Sequence, residues 1–102
     1  MKLPHTELST SLFAAQLGEI PTIDLHNLSP DQAEYAADRF IDQQFLAGTE
    51  AIKIIHGRGK GILRKRIHQQ LEHDAIRVAG FSDAECPSQQ GAATIVILHS
   101  IS

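Results

Sequence analysis

Two histidines, His26 at the end of "TIDLH" and His56 in "AIKIIHG", each close a short, largely apolar stretch. Imidazole gains and loses its proton near neutrality, so two such groups in one place can act as acid and base. Asp24 stands two residues before His26. In an extended strand that spacing puts the carboxylate on the histidine's face, where it can orient the ring or hold its charged form. After His56 comes "GRGKGILRKR", in which Gly57, Gly59 and Gly61 alternate with Arg58 and Lys60 and lead into Arg64 and Lys65. Glycines let several backbone N–H groups turn toward one point, and a helix start adds partial positive charge. The stretch therefore reads as a phosphate cradle. Asp24, His26 and His56 are the candidate catalytic residues; Gly57, Arg58, Gly59, Lys60, Gly61, Arg64 and Lys65 are the candidate phosphate-binding residues.

Plainer readings compete. A basic run is commonly a solvated helix face, and a lone histidine at a strand end is commonly a packing residue; the glycines beside the run and the second histidine weigh against both. No glycine-lysine-serine/threonine follows at Walker spacing, nor do the glycines match a dinucleotide fingerprint. His68 and His73, five apart on a helix, share no face and lack two further ligands for zinc, so no metal is assigned there. His99 has no motif around it and reads as structural. Cys86, the single cysteine, lies in a loop-like stretch without a neighbouring ligand and is read as a bystander.

The elements that position these residues can be read from punctuation and period. "PTIDLH" alternates as a strand. "LSPDQAEYAADRFIDQQFLAG" is a helix: Ser29 caps, Pro30 takes the first position, Gln32 completes a capping box, Ala33, Ala37, Phe40, Ile41 and Phe45 form the apolar stripe, and Gly48 ends it. "AIKIIHG" is a second strand, "GILRKRIHQQLEH" a second helix buried through Leu63, Ile67 and Leu71, and "AIRVAGF" a third strand. "SDAECPSQQGA" reads as a loop, and "ATIVILHSI" as a fourth strand apolar enough to be central or covered on both faces. Leu8, Leu12, Phe13 and Leu17 suggest a short helix ending at Gly18. The expected fold is a small two-layer α/β sandwich, β-α-β-α-β-β, with a mixed four-stranded sheet. Its first three strands run parallel through right-handed crossovers, and the last returns antiparallel. Parallel strands end on one side, so His26 and His56 should reach the same rim, where open α/β sheets gather ligands.

With 102 residues the chain suits one domain, divided here into an extension over 1–20 and a domain over 21–102. No apolar run is long enough for a membrane span, and "MKLPHTELST" lacks the apolar middle of a signal peptide. A single cysteine favours a reducing, cytoplasmic setting. A net charge of −3 argues against indiscriminate nucleic-acid binding by the whole surface, but the charge is uneven. Arg58, Lys60, Arg64, Lys65 and Arg66 cluster, no acid lies between Glu50 and Glu72, and Asp31, Glu34, Asp38 and Asp42 fall earlier.

"IDLH" followed by "HGRGKGILR" in this element order resembles the small MutS-related (Smr) family over roughly residues 20–102. The family's first motif, leucine-aspartate-leucine-histidine-glycine, falls on Ile23, Asp24, Leu25 and His26. Its second, histidine/threonine-glycine-x-glycine, falls on His56, Gly57, Arg58 and Gly59, extended by Lys60 to Arg64. Asn27 replaces the first motif's glycine; asparagine tolerates left-handed backbone angles, so the turn is expected to persist. "QQGAATIVIL" is similar to a worn form of the family's glycine-rich entry to the last strand. The resemblance implies a nuclease that nicks DNA or cleaves RNA. The fold also resembles the C-terminal domain of bacterial translation initiation factor three, which implies the alternative of a non-catalytic RNA- or ribosome-binding module. RNA carries its own nucleophile, so two histidines and cations suffice without a cofactor. DNA needs an activated water, for which a divalent metal on Asp24, His26 and His56 would be natural. With Asp24 the one acid placed at the rim, the sequence tilts toward RNA.

Overall fold

The computed structural model describes residues 20–57, 59–85 and 92–101. The elements run β1 (Thr22–Asp24), α1 (Pro30–Leu46), β2 (Ala51–Ile55), α2 (Ile62–Glu72), β3 (Val78–Glu85) and β4 (Ala92–Leu98). The four strands form one sheet in the order β1-β2-β4-β3. β1 pairs with β2 in parallel, and β4 pairs antiparallel with both β2 and β3. The first three strands therefore share a direction and the last opposes them, as the crossovers require.

Each helix is set by local chemistry. At α1 the Ser29 hydroxyl accepts from the Gln32 N–H while the Gln32 side chain accepts from the Ser29 N–H, a complete capping box with Pro30 in the first turn. Ala33, Ala37 and Ile41 of α1 and Ile67 and Leu71 of α2 are buried against Leu25, Ile52, Ile54, Val96 and Leu98 of the sheet side, which makes the main core. Ala51, Ala79, Ile95 and Ile97 form a second buried cluster, with Ile20 and Ala84 packed on it. Residues 93–98 of β4 are buried throughout, which accounts for the unbroken apolar run of a central strand.

Strand boundaries differ from the sequence reading: β1 ends at Asp24 and β2 at Ile55, short of His26 and His56, and β3 and β4 shift as well. Residues 75–77 are a turn, not the start of β3. The Arg77 N–H donates to the Asp74 carboxylate and its guanidinium to the same group, and this pins the turn before Val78. At its other end β3 continues to Glu85, through residues that read as loop. It is an edge strand, and such strands carry polar and charged residues without loss. β4 stops at Leu98, so His99 lies just beyond it. No described non-glycine residue has a positive φ, so Asn27 makes its turn without a left-handed backbone. The suggested N-terminal helix, Arg58, Cys86 and Gly91 lie outside the described residues. No helix among the described residues is long and apolar enough to cross a membrane.

Candidate functional site

Parallel pairing brings the two histidine motifs together. Asp24 stands opposite Ile55, and the Leu25 N–H donates to the Ile55 carbonyl at 2.7 Å, so the chain after β1 leaves beside the chain after β2. Gly57 (φ 83°) lies so close to this exit that a β-carbon on it would sit 2.9 Å from the His26 β-carbon. Both the backbone angle and this contact require glycine. Gly61 (φ 80°) is the N-cap of α2.

His26 and Asp24 form a pair. The His26 ring Nδ1 lies 2.5 Å from the Asp24 carboxylate, which also accepts from the His26 backbone N–H at 3.1 Å. Burial raises the Asp24 carboxyl pKa, but these hydrogen bonds and the charge of the ring outweigh it and hold the group below its usual value. An ionised Asp24 fixes a proton on Nδ1, which leaves Nε2 as the nitrogen facing outward. The His26 side chain is 38% exposed.

His56 reaches the same rim but points into the protein, and only 3% of it is exposed. Its Nε2 meets the hydroxyl of fully buried Thr94 at 2.8 Å, and its Nδ1 lies 3.3 Å from the Gly57 carbonyl. The Nε2 of His68 meets the same hydroxyl at 2.8 Å. One hydroxyl has one proton, so the three groups order themselves. His68 Nε2–H donates to Thr94, Thr94 donates to His56 Nε2, and His56 Nδ1–H faces the Gly57 carbonyl. Both imidazoles are neutral in that chain. Burial pushes the His56 pKa down; the Gly57 carbonyl opposes this, and neighbouring His68 and Arg64 add to it. Burial and then Arg64 likewise lower that of His68.

Neither Thr94, His68 nor Asp83 stood among the sequence candidates. Thr94 had a signal: it is the one hydroxyl within the apolar run "ATIVIL". Its partners had none, because antiparallel pairing sets Thr94 opposite Ile54 on one side and Asp83 on the other. Arg64 and His68 are one helical turn apart on α2, and both reach Asp83: Arg64 through two hydrogen bonds of 2.7 and 3.0 Å, His68 at 3.7 Å.

The open side of the rim is a groove of roughly 570 Å³, lined by His26, Leu28, Pro30, His56, Gly57, Gly59, Lys60, Gly61, Ile62, Leu63 and Arg64. No carboxylate among the described residues lines it. The α2 start has no side-chain cap and no acid in its first turn, whereas α1 is capped by its own Ser29 and Gln32. The first N–H groups of α2 thus remain without a side-chain acceptor, the condition under which a helix start binds anions. Of the sequence-derived candidates, the groove gathers His26, His56, Gly57, Gly59, Lys60, Gly61 and Arg64; Asp24 stands behind His26. Lys65 is exposed but does not line it, and Arg58 is outside the described residues. No group of three or more His, Cys, Asp or Glu among the described residues is arranged to hold a metal ion.

A mixed four-stranded sheet of this order, with two helices and a glycine-lined groove between two strand exits, defines a small α/β domain. Residues 23–99 match the Smr domain, and the chain belongs to that family. The Smr domain of Thermus thermophilus MutS2 superposes with a TM-score of 0.71 at 31% identity, covering 78% of this chain and 99% of that one. YdaL, a stand-alone small MutS-related protein from Escherichia coli, shares the fold with a TM-score of 0.78 at 23% identity over 97% of this chain and 79% of its own. In sequence, the chain is 30% identical over 95 residues to endonuclease MutS2 of Thermus thermophilus, matching 93% of this chain but 12% of that protein. It is 44% identical over 52 residues to endonuclease MutS2 of Halothermothrix orenii, 51% of this chain and 7% of that one. The chain thus spans a small fraction of the MutS2 proteins it matches.

Proposed function

We propose that this Smr domain is an endonuclease that cuts RNA in preference to DNA, without a metal, at the groove between the two motif loops. The observation that carries the reading is an exposed imidazole, oriented by Asp24, beside an uncapped and acid-free helix start. His26 Nε2 takes the proton of a 2′-hydroxyl, and the 2′-oxygen attacks the adjacent phosphorus. The bond from phosphorus to the 5′-oxygen breaks, that oxygen takes a proton from solvent or the Lys60 ammonium, and a 2′,3′-cyclic phosphate remains. The backbone of Gly57, Gly59 and Gly61, the α2 start and Lys60 stabilise the charge that builds on the phosphate. His56 acts through the loop it holds rather than on the substrate. The similarity to domains of endonucleases named MutS2 supports a nucleic-acid substrate, and the lone cysteine fits a cytoplasmic setting.

The burial of His56 favours a second reading, a module that binds RNA, alone or on the ribosome, and does not cut it, because only one imidazole of the pair is exposed. Incubation with end-labelled RNA and DNA, with and without chelator, separates the two. The nuclease reading expects RNA cleavage that persists in chelator, ends in cyclic phosphate, and falls by about 10²–10⁴-fold in His26→Ala. Binding without any cleavage supports the second reading and overturns the first.

A further inference from the structure

Part of the groove's lining is aliphatic. Ile62, the first residue of α2, lines the groove with 56% of its surface exposed, and Leu28, Pro30 and Leu63 line it too. Leu28 and Leu63 also pack on the main core, so the shelf they begin is fixed in place. Ile62 contributes little to that core. Its apolar surface is therefore left available at the groove, beside the cationic loop. An apolar plate beside phosphate-binding N–H groups is what a nucleobase and its own phosphate require together.

Resting on the proposed reading of this groove, we infer that its substrate is single-stranded: one unstacked nucleotide lies with its base on the Leu28–Pro30–Ile62 shelf and its phosphate at Gly57, Gly59 and Gly61. The groove, at roughly 570 Å³, is the size of a small-molecule pocket, about 300–1,000 Å³. A paired base inside a duplex cannot reach such a shelf unless it is first unstacked, whereas bases of loops, bulges and ends are free to turn outward. The shelf side chains Leu28, Pro30 and Ile62 are aliphatic, so the contact is tolerant of base identity, because an aliphatic plate has no donor or acceptor to read an edge. His26 lines the same groove, where its ring would meet the sugar of that nucleotide.

The test measures binding by fluorescence anisotropy with 2′-fluoro oligoribonucleotides, which lack the nucleophile and stay intact. Three probes are compared: a single strand, its blunt duplex, and the same strand with consecutive abasic positions. The inference expects the single strand to bind at least about tenfold tighter than the other two, on the scale of a lost base-stacking contact. Ile62→Ala, at an exposed position, should weaken the single strand several-fold and leave the abasic strand unchanged. The comparison of probes on the wild-type protein needs no variant. Equal or tighter binding of the duplex, or an equal loss in Ile62→Ala on the abasic strand, overturns the shelf and leaves the cleavage reading standing. No binding of any probe by the folded protein overturns both.

Discussion

Asp24 and His26 were legible as a pair because a strand repeats every two residues, and that period puts them on one face wherever the strand lies. His56 was legible as a rim residue by the same logic, but not its direction. Period alone cannot tell an exposed ring from one that meets a hydroxyl from a strand 38 positions away. The buried chain His68–Thr94–His56 makes a consequence testable. Both imidazoles have pKa values lowered by burial, below the ordinary value of about 6.5. Between that value and the folded-state value the unfolded chain binds more protons, so stability rises with pH there. The stabilisation is fully present above about pH 6.5 and is lost as the pH falls toward the depressed folded-state values. Thermal melts between pH 7.5 and 5 should therefore show a falling Tm. The fall should be shallower in His56→Gln, whose amide can still reach Thr94 but does not titrate. A Tm that is flat over this range in the wild-type protein would mean that the two rings are not held neutral.

At the scale of elements, the helices announced themselves through caps and stripes, and the capping box of α1 is made by the residues that spell it. β3 was harder. Its second half carries Ser82, Asp83 and Glu85, which in isolation look like a loop; an edge position tolerates them, and Asp83 there meets Arg64 of α2. The loop between β2 and α2 behaves differently at each glycine. A side chain at Gly57 meets both a φ of 83° and the His26 β-carbon at 2.9 Å, whereas at Gly59 the φ is 34° and nothing lies within 4 Å. Gly59→Ala should cost only the backbone term, about 1–2 kcal/mol, and leave a folded protein. Gly57→Ala should cost more and displace His26, so cleavage falls together with Tm. Melts and cleavage rates on the two variants check this ordering. An unchanged Gly57→Ala protein would show that the two motif loops do not meet as described.

For the molecule as a whole, the sequence showed a bipolar chain, acidic in α1 and basic after β2, and the fold brings the two halves into contact. Arg66 reaches Asp31 at 2.9 Å and Glu34 at 3.1 Å. Arg77 binds Asp38 and Asp74, whose carboxylates raise its pKa well above the ordinary guanidinium value. Arg64 is held by Asp83. The basic run therefore divides by partner, a division that linear charge counting cannot see, since the acids lie far away in the chain. Lys60 lines the groove with no ion pair among the described residues, while Arg66 spends its charge on α1. Each phosphate contact made by a cation contributes about one to the slope of log affinity against log salt. Lys60→Gln should thus weaken RNA binding regardless of sequence and flatten that slope by about one. Arg66→Gln should leave the slope unchanged and cost little stability, because its bridges are partly exposed. Titrations of both variants from low to physiological salt decide the matter. Equal flattening in the two would mean that nucleic acid reaches across α2 and α1 alike, and that the groove is not where the phosphates sit.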